Sequence, residues 1–207
     1  MFITLEGPEG AGKSTLQRSL AEALRQAGHE VVETREPGAT ATGHALRQIL
    51  LESPTLPARA ELFLFLADRA NHVDELIRPA LFQGAIVISD RFADSTVVYQ
   101  GDGRGFDRDA LRAWNHFATG GLAPDLTLLL DLDPEVGIAR GLKGDRMDQE
   151  PLEFHRRIRD GFLREAEQEP DRWVVLDAAR PAAEVHQAAL SVVQGRLSSA
   201  AKNLSNS

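Results

Sequence analysis

The feature that most constrains the fold is a glycine-rich motif near the start of the chain. Residues 7–14 read GPEGAGKS and match the pattern G-x-x-x-x-G-K-[ST]. Glycines let a loop wrap closely around phosphate oxygens with its backbone N–H groups pointing inward. An apolar run at residues 1–5 precedes the motif and a helical pattern follows it, which is the context such a motif requires. The sequence therefore predicts a P-loop between a strand and a helix.

Short apolar runs alternate with helical patterns along the rest of the chain. Strands are predicted at residues 1–5, 31–35, 85–89, 126–132 and 173–176. Helices are predicted at residues 13–27, 42–51, 58–82 (with a bend at Pro79), 107–117, 151–167 and 181–197. Such alternation predicts an α/β P-loop NTPase fold, in which helices cover both faces of a five-stranded parallel sheet.

The chain is expected to form a single P-loop domain over residues 1–207. No internal repeat and no linker divides it. Residues 141–150 are polar and are predicted to form a short lid. Residues 198–207 read SSAAKNLSNS and are predicted to be a flexible tail. Asp107 and Asp133 each stand where a helix N-cap is expected, and Pro134 follows Asp133 at the first helical position.

The composition indicates which cellular compartment and which kinds of partner suit the chain. The net charge is −8, which argues against binding nucleic acid through a broad basic face. The chain has no cysteine, so disulfides, zinc thiolate sites and cysteine nucleophiles are excluded, and a reducing compartment is compatible. The apolar run at residues 62–67 is too short to span a bilayer, and Glu6 comes too early for a signal peptide. We therefore expect a cytoplasmic protein with no nucleic-acid or membrane partner.

Three classes of P-loop protein compete at this point. A GTPase switch needs a guanine-reading N-K-x-D element, and the sequence contains no Asn-Lys dipeptide. A motor-type ATPase usually has an apolar strand ending in Asp-Glu, whereas the strands here end in Asp90-Arg91 and Asp131-Leu132. The remaining class is a small kinase that passes a phosphoryl group to a second bound substrate.

A small kinase should contain arginines that converge on two phosphate groups, because phosphoryl transfer is mostly positioning and charge neutralisation. Arg91 directly follows the strand at residues 85–89, and Arg35 ends the strand at residues 31–35 in the same way. Ligands of open α/β sheets bind at the carboxyl edge where such residues lie. Further candidates are Arg47, Arg69 and the stretch at residues 140–146.

Five segments of the chain together resemble the thymidylate kinase family. They are LEGPEGAGKST at 5–15, TREPGAT at 34–40, ELFLFLADRANHV at 61–73, SDRFADSTVVYQGDGRG at 89–105 and PDLTLLLDLDPEVGIAR at 124–140. The resemblance runs from residue 2 to about residue 197. It implies a fold like that of nucleoside monophosphate kinases, transfer of phosphate from ATP–Mg²⁺ to dTMP to give dTDP, and a homodimer formed through the predicted helix at residues 58–82.

The resemblance also implies the residues of the donor site. Lys13 and Ser14 would serve ATP and Mg²⁺, and Asp90 would lie near the metal. The nucleotide-binding loop would comprise Gly7, Pro8, Glu9, Gly10, Ala11, Gly12, Lys13, Ser14 and Thr15.

For the acceptor site, the resemblance implies distinct roles along one pocket. Phe65 would stack on thymine, Arg69 would bond its carbonyl edge, and Arg91 would hold the dTMP phosphate. Tyr99 would lie under the sugar, and Glu9 would face the side of the 3′-hydroxyl. The full implied set is Glu9, Glu36, Pro37, Arg47, Phe65, Arg69, Arg91, Thr96, Tyr99 and Gln100.

The lid is expected to complete the catalytic set. Residues 7–14 contain no arginine, so the chain resembles the form of the family in which a lid arginine stabilises the transferred phosphoryl group. Of Arg140, Lys143 and Arg146, we favour Arg146 with Arg140 in support. The implied catalytic residues are then Lys13, Arg91, Arg146, Arg140 and Glu9.

Other polar residues are interpreted as structural. The six histidines show no metal-ligand spacing, and Asp131 and Asp133 are expected to end a strand and cap a helix. Two alternatives remain open from the sequence: another nucleoside or nucleotide kinase of the same fold, and a non-catalytic nucleotide-binding module.

Overall fold

Five parallel strands form the centre of the computed structural model, which describes residues 1–53, 55–140 and 149–205. The sheet has the order β2-β3-β1-β4-β5. This arrangement confirms the predicted parallel sheet, and every strand begins and ends within one residue of its expected bounds. The strands are β1 (Phe2–Glu6), β2 (Val31–Arg35), β3 (Ile86–Asp90), β4 (Leu126–Asp131) and β5 (Trp173–Asp177).

Helices connect the strands and cover the sheet. They are α1 (Lys13–Gln26), α2 (Ala41–Glu52), α3 (Ala58–His72), α4 (Arg78–Phe82), α5 (Ala93–Thr96), α6 (Arg108–Thr119), α7 (Pro134–Ala139), α8 (Leu152–Gln168) and α9 (Ala182–Ser205). The side chain of Asp107 accepts a hydrogen bond from the Ala110 amide at 2.8 Å, and that of Asp133 accepts one from the Glu135 amide at 2.9 Å. Both predicted N-caps are therefore confirmed.

The predicted helix at residues 58–82 is correct in extent but not in winding. A π-helical segment, Val73–Ile77, separates α3 from α4. Pro79 lies in the first turn of α4. A proline lacks the N–H of a regular helical turn and crowds the carbonyl four residues earlier, so the wider π turn before it relieves this conflict.

Two other stretches differ from the sequence-based expectation. No element was predicted at residues 93–103, where α5 continues into a second π-helical segment, Val97–Gly103. The last helix was expected to end at residue 197, yet α9 continues to Ser205. The hydroxyls of Ser198 and Ser199 donate to the carbonyls four residues earlier, at 2.9 and 3.0 Å, so both side chains are satisfied within the helix itself.

Apolar side chains pack against both faces of the sheet. α1 and α9 cover one face, where Leu16, Leu20 and Leu24 of α1 meet Ile3 and Leu5 of β1 and Val185, Ala189 and Val193 of α9. Two clusters cover the other face. One contains Phe2, Val73, Ile77, Val87 and Phe92, and the second contains Leu129, Phe154, Ile158, Phe162 and Trp173.

The register of the central strands brings the P-loop and Arg91 to the same edge of the sheet. Leu5 of β1 lies opposite Asp90 of β3. The Arg91 amide then donates to the Leu5 carbonyl at 3.0 Å. Parallel strands present their carboxyl ends on one side, so the loops after β1 and β3 lie next to each other.

The P-loop also packs closely against the start of α7. A Cβ on Gly137 would lie 2.3 Å from the Glu9 carbonyl oxygen, and a Cβ on Gly10 would lie 2.4 Å from the Gly137 carbonyl oxygen. The two backbones can come this close only because both residues are glycines. The backbone of α7 therefore supports the loop directly.

This contact can be tested with Gly137→Ala. Alanine normally stabilises a helix interior by about 1 kcal/mol relative to glycine. Here the added methyl would displace the loop, and overpacking of this kind costs about 1–3 kcal/mol, so we expect the melting temperature to fall. The matched control is Gly195→Ala in α9, where a Cβ would meet nothing within 4 Å. That variant should melt at the same or a higher temperature by circular dichroism. Equal behaviour of the two variants would contradict the contact.

Candidate active site

A cavity of about 510 Å³ opens at the carboxyl edge of the sheet and brings most of the expected site residues together. The expected residues that line it are Glu9, Gly10, Gly12, Lys13, Ser14, Thr15, Glu36, Pro37, Arg47, Phe65, Arg69, Asp90, Arg91, Thr96, Tyr99, Gln100 and Arg140. Arg18, Arg35, Leu51 and Ser95 also line it. Gly7, Pro8 and Ala11 belong to the loop but do not line the cavity. Arg146 and Lys143 lie outside the described residues.

The P-loop takes a conformation that its glycines permit. Gly7, Gly10 and Gly12 have φ angles of 138°, 72° and 92°, which L side chains rarely adopt. Gly12 directly precedes α1. The first amides of a helix lack partners within the helix and carry its positive dipole end, so this loop presents an anion-binding helix terminus to the cavity.

Lys13 is held at the P-loop by backbone oxygens. Its Nζ donates to the carbonyls of Gly7 and Pro8 at 2.9 and 2.7 Å. Burial lowers the pKa of Lys13 to about 8, and Arg91 acts in the same direction, whereas Asp90 and Glu9 oppose the shift. An approaching phosphate would supply the negative charge that favours the ammonium form.

The residues expected to serve a metal lie side by side. Ser14 Oγ donates to Asp90 Oδ2 at 2.7 Å. A hydroxyl and a carboxylate are both hard oxygen ligands, so the pair fits Mg²⁺ held by one carboxylate together with substrate phosphates. Within residues 1–53, 55–140 and 149–205, no group of three or more His, Cys, Asp or Glu side chains could hold a metal ion by itself.

Arg91 stands in an unusual backbone conformation at the centre of the cavity. Its φ angle is 71°, in the left-handed region that costs a residue with a side chain about 1–3 kcal/mol. Its guanidinium donates to Ser95 Oγ at 3.1 Å and to Glu9 Oε1 at 3.0 Å. It also lies over the Tyr99 ring, 4.9 Å from the ring centroid. These contacts hold the side chain toward the P-loop despite the backbone strain.

Glu9 is the P-loop side chain that contacts Arg91 and Tyr99, which line the same cavity. Its Oε1 accepts a short hydrogen bond from the Tyr99 hydroxyl, and its Oε2 lies 3.5 Å from His155 Nδ1. Burial alone would raise the pKa of Glu9, but Arg91 and then His155 and Lys13 lower that pKa well below its usual range. Glu9 is therefore ionised at neutral pH. His155 was expected only as a structural or exposed histidine, and no sequence spacing indicated that it lies beside Glu9.

Glu6 is a site residue that sequence reasoning missed. It is fully buried at the end of β1 and accepts hydrogen bonds from the Phe92 amide at 2.9 Å and from Ser95 Oγ at 2.6 Å. Burial, with Asp94 acting in the same direction, raises the pKa of Glu6 to about 7. Ser95 in turn accepts from Arg91, so Glu6 fixes the hydroxyl against which Arg91 lies. An acidic residue ending an otherwise apolar strand was the available signal.

Arg69 lines the cavity with only a small part of its side chain, which is 2% exposed. Its guanidinium donates to Glu36 Oε2, to Thr96 Oγ1, to Asn115 Oδ1 and to the Phe92 carbonyl, at 2.6–3.0 Å. The other oxygen of Glu36 lies 2.9 Å from His72 Nδ1. Glu36 thus orients Arg69, and Asn115 joins a group of residues that the sequence did not associate with the site.

The two phenylalanines of α3 occupy different environments. Phe65 is half-buried and lines the cavity one turn before Arg69. Phe63 is 60% exposed and lies beside Trp114, with 6.2 Å between ring centroids. Phe65 is therefore not part of the packed core, and a stacking role remains open to it.

The remaining expected residues have clear positions. Arg47 donates to the Pro37 carbonyl at 2.8 Å. Arg140 donates to the carbonyls of Gly10 and Ala178, at 3.3 and 3.1 Å, and so touches the P-loop. Asp131 pairs with Arg159 at 2.7 Å, a contact away from the cavity that fits the structural role expected of it.

A P-loop beside an arginine-lined second pocket, on a parallel sheet of order 2-3-1-4-5, defines a nucleoside monophosphate kinase. The thymidylate kinase family model matches residues 5–189. The chain is 55% identical over 197 residues to the thymidylate kinase of Synechococcus sp. (strain JA-3-3Ab), covering 95% of this chain and 97% of that one. It is 50% identical over 209 residues to that of Desulfovibrio desulfuricans, covering 95% and 96% of the two chains.

A solved structure gives the same answer. The crystal structure of thymidylate kinase from Ehrlichia chaffeensis matches with a TM-score of 0.78 at 36% identity, covering 93% of this chain and 98% of that chain. The chain belongs to the thymidylate kinase family. Among the helices of the described residues, none has the length and apolar character needed to cross a membrane.

The lowered pKa of Lys13 makes donor binding pH-dependent. Lysine binds phosphate only when protonated, and its pKa in the free enzyme is about 8. We expect kcat/KM for ATP to fall about tenfold per pH unit above that value, because kcat/KM reports the free enzyme. The value of kcat should persist to higher pH, since bound phosphates raise the pKa. In Lys13→Arg the guanidinium stays charged, so the fall of kcat/KM for ATP above about pH 8 should disappear. The same fall in both proteins would assign it to another group.

Proposed function

We propose that this chain transfers the terminal phosphoryl group of ATP to dTMP, giving ADP and dTDP. The observation that carries the proposal is that the P-loop and the Arg91 pocket face one continuous cavity. A donor and an acceptor can therefore lie together with their phosphates between the two halves. Membership of the thymidylate kinase family supports dTMP as the acceptor.

On the donor side, the P-loop binds the phosphates of ATP. The backbone of residues 7–15 wraps the phosphate chain, and Lys13 exchanges its carbonyl partners for phosphate oxygens. Ser14 and Asp90, joined by a 2.7 Å hydrogen bond, are the residues that would hold Mg²⁺. When bound, the ion neutralises charge on the phosphate oxygens.

On the acceptor side, Arg91 binds the phosphate of dTMP with support from Arg47. Phe65 stacks on the thymine ring, since aromatic faces suit base stacking. Arg69 and Gln100 lie at the edge of the base, and Thr96 lies beside them. Glu36 and Pro37 shape the pocket wall, and the Tyr99 ring lies under the sugar while its hydroxyl orients Glu9.

The transfer is an in-line displacement that needs no covalent intermediate with the protein. An oxygen of the dTMP phosphate attacks the γ-phosphorus, and the bond from that phosphorus to the β-phosphate oxygen breaks. Lys13 and Arg91 neutralise the negative charge that converges between the two substrates. Arg146, supported by Arg140 beside the P-loop, would stabilise the transferred phosphoryl group.

We also propose a quaternary structure and a location for this chain. We propose a homodimer formed through α3 and its neighbours. The exposed aromatic side chains of Phe63 on α3 and of Trp114 and Phe117 on α6 support this, because contiguous exposed aromatics commonly mark an interface. A cytoplasmic location suits the absence of cysteine, and residues 1–207 would form one domain.

The proposed function is tested by an acceptor screen. ADP release is measured with ATP and each of dTMP, dUMP, dCMP, dGMP and AMP as acceptor. We expect the highest kcat/KM for dTMP, since the pocket combines a stacking ring with groups that address a pyrimidine edge. A preference for another monophosphate would replace the proposed acceptor and keep the kinase. Zero turnover with all five would point to a nucleotide-binding module without catalysis.

A further inference from the structure

Gln100 lies at the base end of the cavity and is anchored from behind. It belongs to the π-helical segment Val97–Gly103 and is only 1% exposed, yet it lines the cavity. Its amide nitrogen donates to Glu61 Oε1 at 3.0 Å. Glu61, Phe65 and Arg69 are spaced by four residues on α3, so they share the face that borders the base pocket.

Glu61 is a fully buried carboxylate with a cation beside it. Its exposed fraction is 0%, and Arg104 Nε lies 3.5 Å from its Oε1. A buried carboxylate persists when a positive group and hydrogen bonds compensate for the lost water. Arg104 and Gln100 supply these here, so Glu61 is a stable acceptor and not an isolated charge.

The chemistry of the carboxylate fixes which way the Gln100 amide points. An ionised carboxylate only accepts hydrogen bonds, whereas an amide has one end that donates and one that accepts. The NH₂ end of Gln100 must therefore face Glu61, and its oxygen is the end left for a ligand. This orientation follows from the partner and does not depend on how nitrogen and oxygen are distinguished.

We propose that Glu61 is a positioning residue that makes the base pocket selective for pyrimidines carrying a hydrogen on N3. This inference rests on the proposed function. The fixed amide oxygen of Gln100 accepts a hydrogen bond from the N3–H of thymine. Cytosine has a lone pair at N3, which would face the same oxygen and be repelled.

The test compares dTMP with 5-methyl-dCMP, which keeps the methyl group and sugar phosphate of dTMP and differs only at N3 and position 4. In the wild-type chain we expect a strong preference for dTMP. In Glu61→Gln the introduced amide can either donate or accept, so the Gln100 amide is free to turn. The ratio of kcat/KM for dTMP to that for 5-methyl-dCMP should then fall about tenfold, which is the effect expected from losing one discriminating hydrogen bond.

The ratio separates positioning from a general structural effect. Loss of packing or of local stability would lower kcat/KM for both acceptors alike and leave the ratio unchanged, and that result overturns the proposal. Glu61→Asp keeps an acceptor-only group and should keep the preference even if its rates fall. Arg104→Gln removes the cation and leaves the carboxylate, so it should also keep the preference. A loss in Arg104→Gln equal to that in Glu61→Gln would assign the effect to charge and overturn the proposal.

A measurement on the wild-type chain covers the case in which Glu61→Gln does not fold. The side-chain amide of Gln100 is followed by ¹⁵N NMR while dTMP is added. We expect its NH₂ protons to stay protected from exchange and to shift little, because they remain bonded to Glu61. A large shift with loss of protection would show that the NH₂ end turns to the ligand and would overturn the proposal. A wild-type chain that does not bind dTMP would instead fail the acceptor screen, and that result would overturn the proposed function itself.

Discussion

The parallel pairing of β1 with β3 is the constraint on which the site depends. It places Leu5 opposite Asp90, so the P-loop and Arg91 leave the sheet side by side. The Glu9–Arg91 ion pair, at 3.0 Å, then connects the two loops. Without this register, a phosphate-binding loop would still form after β1, but nothing would hold a second phosphate-binding arginine next to it. The donor and acceptor halves are therefore one structural unit.

Buried carboxylates hold the side chains of this unit in fixed positions. Glu6 holds Ser95 and the Phe92 amide, Glu36 holds Arg69, and Glu61 holds Gln100. In each case a buried carboxylate fixes a side chain that lines the cavity. Breaking such a buried pair costs more than an exposed ion pair contributes, because the remaining group is left without compensation.

Much of this could be predicted from the sequence. The strands are short apolar runs between strong turn signals, and residues 7–14 are a local motif whose glycines dictate its shape. The π turn before Pro79 and the helical segment after β3 were not predictable, because the period of apolar residues does not distinguish a wide turn from a regular one. Glu6, Glu61 and His155 were missed for a different reason. Their partners are 39 or more residues away, since Glu6 meets Ser95, Glu61 meets Gln100 and Glu9 meets His155.

The central claim is that Glu9 and Arg91 act together in binding the acceptor. The most direct measurement is a double-mutant cycle of Glu9→Gln and Arg91→Lys, with the binding free energy of dTMP obtained by isothermal titration calorimetry. If the pair works as one unit, the effects of the two changes should deviate from additivity by more than about 1 kcal/mol. Additivity within about 0.5 kcal/mol would mean that the two loops act independently, which would contradict this account.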